Sequence, residues 1–390
     1  MIFGRETKRI RIRIAIQVIA CLFTLVSLAF PIPCPPPLPT PLSNNAVASL
    51  KIDGKLRVFS FFGLKRGKTH KDISRNAYMW IESGMNWAHL KDVPVDEGRL
   101  ASTAEAAGGK IYIFGGYTVA EDGTEVSTPD VFSFDPLDGK YKKLKDIPTP
   151  VDDAVSFVYR NRYVYLVSGW SADKNVSLVQ VFDTRKNRWF RATDYPGTPV
   201  FGHAGGIVEN KFVIADGVAV VDVVGGKKKF DTVNEGWLGT IDKKDPAKIV
   251  YRRLPQLPGR GHYRMAGAGD KRRNVILFMG GTPTAYNYNG LGYNGTPASA
   301  TKHVFGFDLN LDKWKAYDDK PVASMDHRGM FYYGGEWWSV GGMDSERNVI
   351  PSVLSERTSC RQNVPSNRLS FAFNFGFVNE SQVSTLRSGL

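Results

Sequence analysis

Six times along this 390-residue chain an apolar run halts on glycine: "LRVFSFFG", "KIYIFGG", "YVYLVSG", "KFVIADG", "NVILFMGG" and "EWWSVGG", ending at Gly63, Gly116, Gly169, Gly217, Gly281 and Gly342. Residues such as Ile111-Tyr112-Ile113-Phe114 make a good strand, and a glycine pair is a poor way to continue one. A single instance would be a turn. Six instances, separated by 53, 53, 48, 64 and 61 residues, are a repeat with a period near 50.

The residues after each glycine repeat too. A strand with an aromatic-Asp end, a turn and an aromatic strand recur in "VFSFDPLDGKYKKL" (Val131 to Leu144), "VQVFDTRKNRWFRA" (Val179 to Ala192) and "VFGFDLNLDKWKAY" (Val304 to Tyr317), with Trp87 and Tyr251 in the corresponding last slot of the first and fourth units. Four short strands in about 50 residues make one propeller blade. The expectation is an all-β fold, a six-bladed β-propeller of four antiparallel strands per blade over residues 46–355. The glycines fall where the two innermost strands crowd the axis, and the outer aromatics cover the gaps between blades. The sixth unit has no aromatic in its last slot, so the last blade is incomplete unless the atypical tail 356–390 supplies a strand from "LSFAFNFGF". Otherwise that tail is disordered.

This apolar strand, glycine pair and later Trp or Tyr resemble the kelch repeat, and the resemblance covers residues 46–355. Departures are Ser168-Gly169, Asp216-Gly217 and the lone Gly63. The resemblance implies the propeller fold and says little about function. Galactose oxidase has a kelch-type central propeller, but its copper radical site needs a Cys–Tyr cross-link, and no cysteine here falls in a suitable blade loop. No metal or other cofactor is expected.

The ends speak to location. Net charge is +13, of which Arg5, Lys8, Arg9, Arg11 and Arg13 against Glu6 supply +4. They precede the apolar run Ile14 to Phe30, with small residues Ser27 and Ala29, and then "PIPCPPPLPTPL". A basic start, an apolar stretch and a small-residue site form an export signal at 1–30, cleaved after Ala29 or kept as a membrane anchor. Residues 31–45 read as a Pro-rich linker. The chain is therefore expected outside the cytoplasm, periplasmic or extracellular, which disfavours a nucleic-acid partner. With Cys21 in the signal, only Cys34 and Cys360 remain, and no disulfide framework is expected to support the fold.

Blade topology places the turn between first and second strands on one face of the disc. The loop after each glycine pair and the chain entering each first strand lie on the other, with long loops at 118–130, 218–238 and 282–303. On that face polar residues recur: Arg99, Asp152 and Asp153, His203, His262 and Arg264, and Asp326, His327 and Arg328, with Glu105 just inside the second blade. Around one mouth they offer cations for an anionic ligand, imidazoles for proton transfer and carboxylates for hydroxyls. Tyr286, Asn289 and Tyr293 in "TAYNYNGLGYNG" add rings and amides suited to sugars. A shared metal on three histidines from separate blades is disfavoured by distance.

Two classes of function fit. The first, preferred, is an exported propeller that binds a carbohydrate or protein ligand on its loop-rich face without catalysis. The second is a sugar mutarotase, since the layout also resembles the secreted six-bladed kelch N-acetylneuraminate epimerases. That resemblance implies Arg99, Arg264 or Arg328 on the sugar carboxylate, and His203, His262 or Glu105 moving protons.

Overall fold

Each glycine that ends an apolar run sits where a β-carbon has no room. At Gly116 (φ +88°) it would meet the Leu100 carbonyl oxygen at 2.6 Å, and at Gly342 (φ +104°) it would meet the Met325 carbonyl oxygen at 2.6 Å. In both places the carbonyl belongs to the segment that leads into the same blade's innermost strand. The second strand must press against this segment and then turn away, and only glycine permits both. The same contact recurs in every blade as an isolated bridge: Ser43 with Leu64, Leu100 with Tyr117, Asp152 with Trp170, Phe201 with Val218, Tyr263 with Thr282, and Met325 with Met343.

The computed structural model describes residues 34–257 and 259–358. Five four-stranded antiparallel sheets and a three-stranded sixth form a six-bladed propeller. The innermost strands are Ala46–Ile52, Thr103–Ala107, Val155–Tyr159, Ala204–Val208, Ala266–Asp270 and Phe331–Tyr333. Short hairpins at Tyr117–Val119/Glu125–Ser127, Trp170–Ser171/Lys174–Asn175 and Val218–Val224/Lys227–Thr232 rise from the loop-rich face. The core is a series of apolar layers between neighbouring sheets, such as Phe59, Phe61, Ile111, Ile113 and Phe134 between blades one and two. Phe134 lies edge-on to both Phe59 and Phe61.

The outer aromatics act across those gaps. Trp189 packs on Phe114 of the preceding blade and gives its indole N–H to the Lys145 carbonyl at 3.0 Å. Trp314 donates likewise to the Pro255 carbonyl at 2.7 Å, and the hydroxyls of Tyr141 and Tyr251 donate to the Lys91 carbonyl at 2.9 Å and the Thr193 carbonyl at 3.2 Å. In the first blade Trp87 reaches the Pro36 carbonyl at 2.8 Å.

That contact corrects the reading of residues 31–45 as a linker. Leu38 and Leu42 are buried beside Trp80, Trp87, Phe331 and Trp338, between the first and sixth blades. The Leu38 N–H bonds the Pro351 carbonyl at 2.8 Å, and the Gly342 N–H bonds the Leu42 carbonyl at 2.9 Å. The start of the domain therefore occupies the gap that an outer strand of the sixth blade leaves. Cys34, at its beginning, is disulfide-bonded. At the other end Glu356 is buried and paired with Arg273 at 2.7 Å, which carries the domain past residue 355. The segment expected to direct export, 1–30, and "LSFAFNFGF", expected as a strand, lie outside the described residues.

Candidate functional site

The innermost segments meet the axis through six residues in left-handed backbone conformation, one per blade: Asn44, Ala101, Asp153, Gly202, Arg264 and Asp326, with φ between 51° and 68°. Hydrogen bonds of 2.7 to 3.2 Å link them in a closed circuit. Asn44 N–H donates to the Asp326 carbonyl, Ala101 N–H to the Asn44 side-chain oxygen, Asp153 N–H to Ala101, Gly202 N–H to Asp153, Arg264 N–H to Gly202, and His327 N–H to Arg264. Asn and Asp tolerate this conformation well, whereas a residue such as Arg264 sits in it at a cost of about 1–2 kcal/mol.

What holds Arg264 there is charge. Its Nε and Nη2 donate to the two oxygens of Asp153 at 3.2 and 2.6 Å, and its Nη1 donates to Asp326 at 3.0 Å. Tyr286 donates its hydroxyl to the same Asp326 oxygen at 3.0 Å. Arg328 touches Asp153 from the other side and donates Nε to Asn44 at 3.0 Å. Two arginines and two aspartates, all with side chains under 5% exposed, thus form a neutral layer across the axis. Of the ring of polar residues read from the sequence, the structure brings Asp153, Arg264, Asp326 and Arg328 together. Arg264, expected to wait for an anionic ligand, has Nε, Nη1 and Nη2 all bonded to Asp153 and Asp326, whereas Arg328 is paired with Asp153 and bonded to Asn44 through Nε and borders the axial channel.

The remaining cations and imidazoles are also engaged. Arg99 donates to the Glu97 and Gly98 carbonyls and to Asp130 at 3.2 Å, away from the axis. His203 is buried with Nε2 against the Val167 carbonyl at 2.9 Å, and burial pulls its pKa down to about 4. His327 bonds Ser324 at 2.7 Å, Ser324 in turn accepts from the buried Lys320 at 2.6 Å, and burial with that neighbouring charge lowers His327 to about 3. His262 lies between buried Asp216, at 3.2 Å, and exposed His303, at 2.9 Å. Among the described residues no His, Cys, Asp or Glu side chains group so as to hold a metal ion.

The axial layer divides the expected single mouth in two. On one side is a channel of about 500 Å³ walled by all six innermost strands, with His203, His327 and Arg328 toward the layer and exposed Lys51 at the far end. Glu105 belongs to this channel. It accepts the Ser156 hydroxyl proton at 2.7 Å, and burial raises its pKa to about 7. Glu105 therefore does not share a site with Asp152 or Tyr293.

On the other side lies the loop-rich face. In four of the six blades the residue before the left-handed one packs into an apolar cap, Leu100, Phe201, Tyr263 and Met325 with Tyr117, Val218, Tyr286 and Met343, while the first blade has the buried Ser43 there. Asp152 holds the same place in the third blade, where an apolar residue would be expected. It accepts the Ser127 hydroxyl at 2.5 Å, and burial pushes its pKa to about 7, with the Glu125 charge adding to the rise. The three long loops do converge here. Tyr293 stacks on Phe230 at 4.3 Å, Phe230 packs against Trp170 and Phe201, and Lys228 stands over Trp170 at 5.0 Å. Tyr293 remains 42% exposed, and Val126 of the second-blade hairpin is 53% exposed. Tyr286, by contrast, is fully buried, and the Asn289 side-chain oxygen is used by the Leu291 N–H of its own turn at 2.9 Å.

The kelch motif model matches residues 98–148, the second blade. An F-box/kelch-repeat protein of Arabidopsis thaliana is 30% identical over 161 residues, 39% of this chain and 46% of its own length. Kelch-like protein 15 of Mus musculus is 24% identical over 246 residues, 63% of this chain and 39% of that protein. The solved structure of YjhT aligns over 84% of this chain and 97% of its own, with a TM-score of 0.65 at 14% identity, a likeness of fold alone. The chain is a kelch-repeat β-propeller. It spans less than half the length of each of these curated relatives.

Several working residues of this kelch propeller escape a sequence reading. Asn44 takes the same place as Asp153, Arg264 and Asp326, a match visible in "SNNAVA" against "VDDAVS" once the repeat is extended before residue 46. Asp216 stands in a glycine slot (φ 60°) and turns its carboxylate onto the His262 N–H at 2.8 Å. Ser127 and Ser156 carry no signal in the sequence, because their partners Asp152 and Glu105 lie in other blades, and neither does Phe230, which packs on Trp170 and Tyr293 of neighbouring blades.

Proposed function

We propose that this is an exported, noncatalytic kelch propeller that binds a protein ligand on its loop-rich face. The observation that carries the reading is the contrast between the two kinds of residue on that face. Arg99, Arg264 and His262 bond internal partners, while aromatic and apolar residues of loops from different blades keep exposed area. Tyr293 on Phe230, flanked by Trp170 and Lys228, is a rigid ring surface of the kind that anchors protein interfaces. A carbohydrate finds less here, since Tyr286 is buried and the Asn287, Asn289 and Asn294 side-chain oxygens each accept a local backbone N–H. The mutarotase reading has less support, because Arg264 is held by Asp153 and Asp326 and burial keeps His203 and His327 neutral.

Export is supported by the basic and apolar N-terminal segment and by the disulfide on Cys34, because such bonds persist in oxidising compartments. Labelling the native protein with a thiol reagent before and after reduction checks this: Cys34 should react only after reduction, and a freely reactive Cys34 in protein taken from its own cell speaks against export.

The binding reading is tested by photo-crosslinking. A crosslinking residue at Leu291, on the loop-rich face, should capture one discrete protein in the native cell, and Tyr293→Ala or Phe230→Ala should abolish that product. A crosslinker at Asp53, on the opposite face, should not capture it. Equal capture from both faces, or capture indifferent to Tyr293 and Phe230, overturns the assignment, as does anomer exchange of a sugar accelerated by the purified protein.

A further inference from the structure

The axial channel is independent of the loop-rich face. It is enclosed by the innermost strands of all six blades, and its inner end is stopped by the Arg264, Arg328, Asp153 and Asp326 layer. Its volume, about 500 Å³, falls in the range of small-molecule sites, and its walls are mostly small: Ala48, Ala104, Ala106, Gly205, Gly267 and Gly269. A single carboxylic acid, Glu105, interrupts those walls.

The surroundings of Glu105 are unbalanced in both charge and hydrogen-bonding type. Its described hydrogen-bond partner is Ser156 at 2.7 Å. Because that hydroxyl spends its proton on the carboxylate, it presents only lone pairs to the channel. The cations of the wall do not answer Glu105. Arg328 is matched by Asp153 at the inner end, and Lys51 is exposed at the outer mouth. His203 and His327 are held neutral by burial. The middle of the channel thus joins an uncompensated carboxyl group to an acceptor hydroxyl between closely set strands, where a charged donor can make a charge-assisted hydrogen bond.

We propose that the channel is a binding site for a small primary ammonium compound, which enters from the face opposite the long loops and donates to Glu105 and Ser156. No covalent step is involved. The three N–H donors of an ammonium group match the carboxylate and the serine oxygen, whereas a neutral diol of the same size supplies fewer donors and no charge.

The experiment uses the exported chain with its Cys34 disulfide intact, with ethanolamine as probe and ethylene glycol as the neutral comparator of similar shape. Calorimetric titration at pH 8 should show saturable ethanolamine binding and at least tenfold weaker ethylene glycol binding. Glu105→Gln, which keeps the shape and the Ser156 contact, should weaken ethanolamine at least tenfold, and Ser156→Ala should weaken it less. Tyr293→Ala should leave it unchanged, which separates this site from the loop-rich face. A far-ultraviolet spectrum and melting curve confirm that each variant is folded. Equal binding of the amine and the diol, an unaffected Glu105→Gln variant, or no saturable binding of ethanolamine would each overturn the proposal and leave the channel as solvent space.

Discussion

Arg264→Ala distinguishes a structural arginine from one reserved for a ligand. The substitution leaves Asp326 in a buried layer with only Tyr286 as partner, and leaves Asp153 with Arg328 alone. Removing one member of a buried charge network costs about 3–5 kcal/mol, since the remaining charge is uncompensated. Unfolding entropy of about 2.1 cal/mol/K per residue, applied to a domain of roughly 325 residues, gives ~0.7 kcal/mol per degree, so the melting temperature should fall by about 4–7 °C. The assay is thermal unfolding at pH 7 followed by circular dichroism. The double variant Arg264→Ala/Asp326→Asn should recover part of the loss, because the orphaned charge is gone. A melting temperature within about 1 °C of the parent would refute the network's structural role and return Arg264 to the ligand.

Three further outcomes rest on the geometry around Glu105, Gly342 and Trp87. Glu105 has a folded pKa near 7 against an ordinary value of 4.5, so its ionisation opposes folding. The parent should lose stability as pH rises from about 4.5 to 7 and hold level above, and Glu105→Gln should gain up to ~3 kcal/mol over the parent at pH 8 but little at pH 4.5, read from melting curves at the two pH values; an equal gain at both would contradict the assignment. Gly342→Ala places a β-carbon 2.6 Å from the Met325 carbonyl oxygen, whereas Gly54→Ala has the same sign of φ (+77°) and open space, so urea unfolding should show a loss of about 1 kcal/mol at Gly54 and clearly more at Gly342. Trp87→Phe keeps the ring but removes the hydrogen bond to Pro36, and should cost about 1 kcal/mol, with protease cleavage appearing first in residues 34–42.

The repeat is legible because packing at the axis leaves a mark at a fixed position in every blade. Gly116 and Gly342 are demanded by a carbonyl of the adjoining segment in the same blade, so the constraint is local and recurs with the period. The same locality places Asp153, Arg264 and Asp326 on one face. It does not reveal that Arg264 pairs with Asp153, 111 residues away, because a pairing across the axis depends on the angle between blades rather than on position within one. For that reason a ring of groups with the chemistry to take a ligand proves to be a ring of groups satisfying one another. Glu105 eludes placement for a related cause: a few residues along an innermost strand are enough to cross from the loop-rich face to the interior of the channel. In the segment 34–45 composition misleads. Its prolines suit an exposed spacer, yet Leu38 and Leu42 are apolar positions that the gap beside Trp87 can bury.

The seam where the ring shuts has a bearing on how the molecule is made. Asn44 meets Asp326, and Leu38 meets Pro351, so the earliest-synthesised part of the domain finds its partners only when nearly all of the chain has emerged. Until then the first blade shows an apolar flank with Trp80 and Trp87 unmatched, and any product shortened before residue 351 keeps that flank open. Such a molecule is vulnerable to aggregation during synthesis and well protected once complete, which favours a cell that withholds folding until the whole chain has been delivered.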